Sequence, residues 1–484
     1  MKKHVEQFFL YRYRFIIGYI LLSVAFFILL TLLPGVAPTG LSEAEMASTV
    51  QASALDSEFI KQGNIINLPY FALQKGSLAI FGLNLFAIKL PSMIIAVATA
   101  IFIILLLNRW FKSDVAIVGS VLTVLSTAFL FLATSGTPAI MYIFWLALVL
   151  WLGSKIVGND NVNPLLVIFF FISIALSLYT PYLAYVALAI TVAGLIHPHL
   201  RFALKQLKIY QLILCILIFV LSVAPLVISC VLNPSTLQNL LFTNNLSFEG
   251  FIANITNAFA PFFSFSLAYS SVYLAPLFGL ATVALVIIGI LASVGKMFMS
   301  RNTVVSLLVI FSIFLSGLSQ DVAISIIIPI AILSAAGIES IVEKWYTLFP
   351  ENPYAHLLGI VPMVAVMIFI ISSGLSHFIF GYHYIPRVVN NFNNDLTIVK
   401  ENVPNDTTLI LTADHKNNDF FRLLEKYDGY QTADKAKNAK TNQIASFNPV
   451  YSGKYELKQI ITSPNTRNSD RLYIYSLVTE KGEE

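Results

Sequence analysis

Long apolar runs recur along the whole chain, and they restrict its fold more than any other feature. A helix needs about 20 apolar residues to cross a hydrocarbon layer about 30 Å thick, and most of these runs approach that length. With 57% hydrophobic and 11% charged residues, the chain has more apolar surface than a soluble core would hide. We predict an all-α polytopic membrane protein with about eleven transmembrane helices. The runs fall at about 15–33, 86–107, 115–133, 138–153, 164–180, 182–196, 209–232, 274–295, 303–318, 322–341 and 357–380.

The lysine and arginine residues of the short loops predict the orientation, because cytoplasmic loops carry an excess of positive charge. If the residues before the first run are cytoplasmic, only Lys61, Lys75 and Lys89 lie outside before the last run. The net charge of +4 is small and gives no sign of a nucleic-acid partner. The cytoplasmic side then holds Lys2, Lys3, Arg12, Arg14, Arg109, Lys112, Lys155, Arg201, Lys205, Lys208, Lys296, Arg301 and Lys344.

Residues 1–380 are predicted to form the transmembrane domain, with two long extracytoplasmic segments at 34–85 and 233–273. The second half of the first segment, residues 68–81, has the composition of a helix that is too short to span. We expect this helix to lie flat in the membrane interface. The second long segment is rich in Asn, Ser and Phe, which is typical of a mobile cover over a site.

Residues 381–484 change abruptly to a polar and charged composition. Alternating apolar residues predict strands at 407–412 and 472–478, and the spacing predicts a helix at 419–427 between them. The tail is therefore predicted to be a small α/β domain outside the membrane.

The acidic stretch that follows the first apolar run is the best candidate for a reaction centre. Ser42 and Glu45 match the S-x-x-E capping box, in which the two side chains satisfy each other's backbone amides at a helix start. Glu43 is then the free carboxylate, at the first helical position. It is either a catalytic base or only a favourable first-turn acid. For Glu45, capping is the default role and catalysis is the alternative.

Several features in register resemble the membrane glycosyltransferases of the GT-C fold, with protein O-mannosyltransferases and lipid A aminoarabinose transferases as the nearest groups. The order is a first span, the acidic turn Ser42-Glu43, and a short helix that begins at Asn67-Leu68-Pro69-Tyr70. The next span opens on Phe86-Ala87-Ile88-Lys89-Leu90-Pro91-Ser92. The resemblance covers about the first 200 residues.

The resemblance implies an enzyme that takes a sugar from a polyprenyl-phosphate carrier and transfers it to an acceptor outside the cytoplasm. That acceptor would be a protein, a glycolipid or a cell-envelope polymer. Family members commonly carry Asp-Glu in the first turn, with the Asp as the base, whereas this chain has Ser42-Glu43. Relatives also have an Arg and an Asp near a Thr-Pro, where the segment 133–139 of this chain is uncharged.

The chemistry needs few protein groups, because a phosphate leaves as an anion without a general acid. One carboxylate must take the proton of the acceptor hydroxyl, and cationic groups must hold the departing phosphate. By this reasoning Glu43 and Glu45 are the candidate catalytic residues. The candidate substrate-binding residues are Lys89, Lys75, Asn67 and Tyr70.

Each substrate-binding candidate also has a simpler interpretation. Lysines at the ends of spans often extend to the lipid headgroups, and tyrosines are common at membrane interfaces. The resemblance implies a phosphate contact for Lys89. No cofactor and no metal-ligand cluster are indicated.

Two other functions fit the same composition. One is a transporter or flippase of lipid-linked sugars, although the interiors of the spans hold almost no ionisable residues for coupling. The other is a cell-envelope assembly protein without catalysis, which the Ser at position 42 makes reasonable. The resemblance implies a bacterial cell membrane. Release of the free carrier phosphate distinguishes the three functions.

Overall fold

The computed structural model describes most of the predicted transmembrane domain and most of the tail. The described residues are 13–37, 40–55, 65–157, 163–196, 198, 209–241, 248–259, 267–269, 272–274, 280–295, 299–318, 324–348, 353–384, 389–412, 417–439, 441–450, 453–462 and 471–478. The two long segments predicted at 34–85 and 233–273 are therefore described only in part.

The described chain is mostly helical, and it is a multi-pass membrane protein. Seven of its helices are long and apolar enough to cross a membrane. An eighth candidate is a pair of helices bent by 61° at a break, and three shorter apolar helices accompany them. Each of the eleven predicted apolar runs coincides with one of these helices or with the bent pair, which confirms the predicted fold class.

In chain order the helices of this part are α1 (Arg14–Leu32), α2 (Glu43–Ser53), α3 (Leu68–Phe81), α4 (Leu85–Trp110), α5 (Ser113–Val124), α6 (Thr127–Thr134), α7 (Ile140–Val157), α8 (Pro164–Ser177), α9 (Leu183–Ile196), α10 (Ile209–Leu232), α11 (Pro234–Leu241), α12 (Phe248–Phe259), α13 (Leu280–Val294), α14 (Ser300–Leu318), α15 (Ile327–Leu348) and α16 (Pro353–Tyr384). Helices α5 and α6 form the bent pair. Between α12 and α13, the strands β2 (Leu267–Tyr269) and β3 (Val272–Leu274) pair antiparallel. Helix α3 is the short helix that the sequence predicts at 68–81.

The helix α4 lies at the centre of the bundle and carries the candidate Lys89. It packs against α1, α3, α5, α6 and α7. Most of its first turns are buried, including Ala87, Ile88 and Leu90. Pro91 lies inside the helix and has no N–H to donate to the carbonyl oxygen of Ala87, but the hydroxyl of Ser77 donates to that oxygen at 2.7 Å.

Helices α13 and α15 approach so closely that their glycines cannot be replaced without a shift. A Cβ on Gly289 would meet the carbonyl oxygen of Leu333, and a Cβ on Gly337 would meet that of Leu285. Small residues of this kind let helix backbones pack directly in membranes, where van der Waals contact replaces the hydrophobic effect.

The tail forms a five-stranded sheet with short helices, which confirms the predicted small α/β unit. Its strands are β5 (Thr408–Ile410), β6 (Gln431–Ala433), β7 (Gln443–Ser446), β8 (Tyr455–Thr462) and β9 (Arg471–Leu477), in the order β6-β5-β7-β9-β8. The strand β5 pairs in parallel with β6 and β7, whereas β9 pairs antiparallel with β7 and β8. The helices are α17 (Asp395–Asn402), α18 (Asn418–Phe421) and α19 (Leu423–Asp428).

The tail packs directly on the segment that holds the acidic stretch. A short strand β1 (Leu41–Ser42) pairs antiparallel with β4 (Phe392–Asn393), which precedes the tail sheet. The Nζ of Lys426 donates to the carbonyl oxygen of Ser53 at 2.8 Å. One hydrophobic cluster also joins the two parts, and it includes Met46, Leu78, Leu83, Ala87, Ile88, Val399, Phe420, Phe421 and Leu424. The tail therefore shares a core with the first segment rather than standing apart from it.

Candidate functional site

Helix α2 begins at Ser42 with the capping box that the sequence predicts. The backbone N–H of Ser42 donates to Oε2 of Glu45 at 2.8 Å, and the amide N–H of Glu45 donates to Oγ of Ser42 at 3.3 Å. The Ser42 hydroxyl also donates to the same Oε2 at 3.1 Å. The side chain of Glu45 is thus folded back over the start of its own helix.

Glu45 lies opposite Lys89 in a fully buried position. The two side chains are each about 1% exposed, and the Nζ of Lys89 is 3.6 Å from Oε1 of Glu45. This distance allows an ion pair but is too long for a hydrogen bond. No hydrogen-bond acceptor for this Nζ is found among the residues that the structure describes. The pair therefore leaves buried donor capacity of the ammonium unused.

A backbone amide completes the surroundings of the carboxylate. The N–H of Gly136 donates to Oε1 of Glu45 at 2.7 Å. A Cβ on Gly136 would lie 2.7 Å from Cγ2 and 3.0 Å from the carbonyl oxygen of Ile88, so the turn approaches α4 as closely as only a glycine allows. The uncharged segment 133–139 thus contributes a backbone amide to this site.

Gln74 connects the three elements around the site. Its Nε2 donates to the carbonyl oxygens of Ile88 and Gly136, both at 3.2 Å, and its Oε1 accepts from the Ser48 hydroxyl at 2.9 Å. This buried amide therefore ties α3 to α2, to α4 and to the turn before α7. Neither Gln74 nor Gly136 is among the site residues predicted from the sequence. The available signal was a glutamine one helical turn after Tyr70 on a mainly apolar helix.

Tyr70 is a fully buried residue of the short helix α3, and its hydroxyl shares a hydrogen bond of 2.8 Å with Oγ of Ser92. Burial is the main cause that raises the pKa of Tyr70 above its usual value, and the negative charge of Glu45 adds to it. The hydrogen bond to Ser92 opposes this shift. Tyr70 therefore stays neutral at physiological pH and does not act as a base.

Replacement of Tyr70 by phenylalanine is expected to lower the free energy of unfolding by about 0.5–1.5 kcal/mol, the usual contribution of one hydrogen bond. The loss stays small because Ser92 also approaches the carbonyl oxygen of Thr137, at 3.4 Å. Denaturant unfolding of the purified variant in detergent measures it. A loss above about 3 kcal/mol would mean that the hydroxyl supports more than this bond.

The other candidates lie around this centre in different environments. Glu43 is exposed at the first position of α2. Lys75 is partly buried and donates to the carbonyl oxygen of Leu55 at 2.7 Å. Asn67 precedes α3 in a left-handed conformation with φ of 57°, and its N–H donates to the carbonyl oxygen of Tyr179 at 2.8 Å. The structure therefore brings Glu45, Lys89 and Tyr70 together and leaves Glu43 outside the buried centre.

The chemistry that this centre can perform follows from the hydrogen-bonding capacity that Glu45 and Lys89 leave unused. A carboxylate offers about four lone-pair sites, and the described donors to Glu45 are the Ser42 amide, the Ser42 hydroxyl and the Gly136 amide. The remaining site faces the Lys89 ammonium. Such a centre is suited to bind an anion through Lys89 and to accept a proton through Glu45. In the described part of the chain, no group of three or more His, Cys, Asp or Glu side chains is arranged to hold a metal ion.

Comparison with known proteins confirms the resemblance seen in the sequence at the level of the fold. The family model described as dolichyl-phosphate-mannose-protein mannosyltransferase matches residues 68–226, about a third of the chain. This match contains α3, Lys89 and the turn at Gly136. No curated protein sequence matches the chain.

Solved structures of two membrane enzymes are similar over most of the chain. ArnT from Cupriavidus metallidurans bound to undecaprenyl phosphate aligns with a TM-score of 0.51 and 11% identity, over 98% of this chain and 100% of that one. Its apo form aligns with a TM-score of 0.51 and 9% identity, over 95% and 97% of the two chains. The archaeal oligosaccharyltransferase AglB from Archaeoglobus fulgidus, in complex with an inhibitory peptide and a dolichol-phosphate, aligns with a TM-score of 0.52 and 11% identity. That match covers 91% of this chain and 70% of AglB. The chain thus has the GT-C fold.

Proposed function

We propose that this chain, which has the fold of the GT-C membrane glycosyltransferases, moves a sugar from a polyprenyl-phosphate carrier to an extracytoplasmic acceptor. The acceptor would be a protein, a glycolipid or a cell-envelope polymer. The family match points to a lipid-linked sugar donor. One of the similar ArnT structures holds undecaprenyl phosphate and the AglB structure holds a dolichol-phosphate, which supports a polyprenyl-phosphate carrier.

The buried Lys89 carries this proposal. A fully buried ammonium that donates no hydrogen bond to the described residues is costly, unless it serves an anionic ligand that supplies the missing acceptors. A phosphate has several strong acceptor oxygens and forms short charge-assisted bonds with lysine. Lys89 lies in the second turn of α4 and faces Glu45 at the start of α2. We propose that the carrier phosphate binds at this place.

The proposed reaction needs one proton acceptor and one anion holder. The oxygen of the acceptor hydroxyl forms a bond to the anomeric carbon, and the bond from that carbon to the phosphate oxygen breaks. The electron pair leaves with the polyprenyl phosphate, whose charge Lys89 stabilises. The hydroxyl proton passes to a carboxylate of the first turn of α2. Attack opposite to the leaving phosphate inverts the anomeric centre.

The proposed orientation places this site outside the cytoplasm. The positive loop residues favour the end of the bundle that carries Arg301 as the cytoplasmic end. The α2 end and the tail sheet would then lie outside, in a bacterial cell membrane. Lys75, Asn67 and Tyr70 are proposed to shape the substrate cavity from α3 and the turn before it.

The first test replaces Lys89 with methionine, which keeps the apolar stem and removes the charge. Proteoliposomes with the purified protein are titrated with radiolabelled undecaprenyl phosphate. The loss of a charge-assisted bond of about 1.5–3 kcal/mol is expected to weaken binding by roughly 10- to 100-fold. Lys155→Met is the matched control, because Lys155 is a lysine in the last turn of α7, at the end of that helix opposite to Gly136. It should change binding by less than about threefold.

Turnover is measured with a panel of undecaprenyl-phosphate hexoses and pentoses, each labelled with ¹⁴C in the sugar. A cell-envelope fraction supplies the acceptor. Release of free carrier phosphate supports the proposal. Movement of the intact labelled lipid across the bilayer without release would instead support a transporter. Unaltered binding of undecaprenyl phosphate by Lys89→Met would remove Lys89 from the site.

A further inference from the structure

The two acidic residues of the first turn differ sharply in their surroundings. Glu43 is exposed, whereas the Glu45 side chain is about 1% exposed and lies against Lys89. A general base must lie within reach of the reacting groups and keep a lone pair to receive the proton. The remaining lone-pair site of Glu45 faces Lys89, the residue proposed to hold the phosphate. Of the two first-turn carboxylates, Glu45 is the one that is buried beside Lys89.

The geometry points to Glu45, rather than Glu43, as the catalytic base. The capping box holds the carboxylate of Glu45 beside Ser42, at the N-cap of α2. This inference rests on the proposed function and names a catalytic residue for it. An aspartate at a helix N-cap would place its carboxylate over the first turn. Glu45 reaches the same place from three residues further on, because its Oε2 bonds both the N–H and the hydroxyl of Ser42.

The ion pair between Glu45 and Lys89 is then the resting state of the site. In an inverting transfer the base and the leaving phosphate lie on opposite faces of the anomeric carbon, so the two side chains must separate when the donor binds. The donor phosphate supplies the acceptors that Lys89 lacks, and it competes with Oε1 for the ammonium. Oε1 still accepts the hydrogen bond from the Gly136 amide, and the lone pair that faced the Lys89 ammonium becomes available for the proton of the acceptor hydroxyl.

A matched set of variants separates catalysis from capping. Glu45→Gln keeps the size of the side chain and an oxygen that accepts from Ser42, but it cannot take a proton. It is expected to lower the rate of sugar release from the labelled undecaprenyl-phosphate sugars at least 100-fold. Glu43→Gln should stay within about threefold of the unsubstituted protein.

The double variant Ser42→Asp with Glu45→Ala returns a carboxylate to the N-cap and empties the space of the Glu45 side chain. It is expected to recover release to within about tenfold of the unsubstituted protein, whereas Glu45→Ala alone stays at least 100-fold low. Asn163→Ala removes the side-chain cap of α8, far from the site, and controls for the loss of a cap. All variants are assayed below their unfolding temperatures.

The outcomes divide cleanly between the two proposals. Failure of the unsubstituted protein to release any labelled sugar contradicts the proposed function, and this inference with it. Release that survives Glu45→Gln but is lost in Glu43→Gln overturns the inference and leaves the proposed function standing. A folded Ser42→Asp, Glu45→Ala variant that is no more active than Glu45→Ala overturns it as well, because a carboxylate placed over the first turn of α2 then does not supply the base.

Discussion

Replacement of Glu45 by methionine is expected to lower the free energy of unfolding by about 3–5 kcal/mol, although the two side chains are similar in length. The substitution leaves the buried Lys89 ammonium without its counter-charge, and removal of one partner of a buried ion pair costs about this much. It also takes the acceptor away from the amides of Ser42 and Gly136. Denaturant unfolding in detergent micelles measures the loss.

The double variant Glu45→Met, Lys89→Met gives the sharper result. No charge remains in the buried centre, and replacement of a buried ion pair by apolar side chains of similar volume is often nearly neutral. We expect the double variant to be more stable than Glu45→Met alone, with a residual loss from the two unpaired amides. Glu43→Met, at the exposed neighbour, should change the free energy of unfolding by less than about 0.5 kcal/mol. Losses that simply add in the double variant would show that the two charges do not interact.

The capping box was predictable from the sequence because it depends on residues only three positions apart. The S-x-x-E pattern identifies both partners, and the structure has both bonds. The approach of Lys89 to Glu45 was not predictable in the same way. It depends on how α2 packs on α3 and α4, and on a turn 91 residues later that supplies the Gly136 amide. Periodicity and local spacing contain no information on such contacts.

The helices at the eleven apolar runs were predictable, because the thickness of the lipid layer sets the length of apolar sequence that a spanning helix needs. The 61° bend between α5 and α6 was not predicted, although Ser126 at the break caps α6, where its Oγ accepts from the N–H of Phe129 at 3.4 Å. The two predicted strands of the tail follow from their alternation, whereas the helix predicted at 419–427 is divided in the structure into α18 and α19. The docking of the tail on the acidic segment does not follow in this way, because the pairing of Leu41–Ser42 with Phe392–Asn393 joins two-residue strands about 350 residues apart.

The pairing of β1 with β4 ties the candidate site directly to the tail. Ser42, whose hydroxyl and amide hold Glu45, is also a strand residue that pairs with Phe392. Any change that separates β1 from β4 therefore acts on the start of α2. Gly40 stands immediately before this strand, with φ of 96°, a conformation that favours glycine.

Replacement of Gly40 by alanine is expected to open this contact. A Cβ at residue 40 would meet the carbonyl oxygen of Asn393, and it would lie 2.6 Å from Oδ1 of Asn394. Overpacking and the positive φ each cost about 1–3 kcal/mol, so we expect a loss of roughly 2–5 kcal/mol in the free energy of unfolding. Limited proteolysis should cut the tail faster, and sugar release should fall because Ser42 no longer positions Glu45.

Gly35→Ala is the matched control, because no heavy atom lies within 4 Å of a Cβ built there and its φ is not in the left-handed region. It should leave proteolysis, stability and release close to those of the unsubstituted protein. The two readouts of Gly40→Ala also locate the coupling. Faster proteolysis with unchanged release would mean that the capping box alone holds Glu45. A loss of both would mean that the tail is part of the structure that positions the carboxylate, since Gly40 itself has no side chain that a substrate could contact.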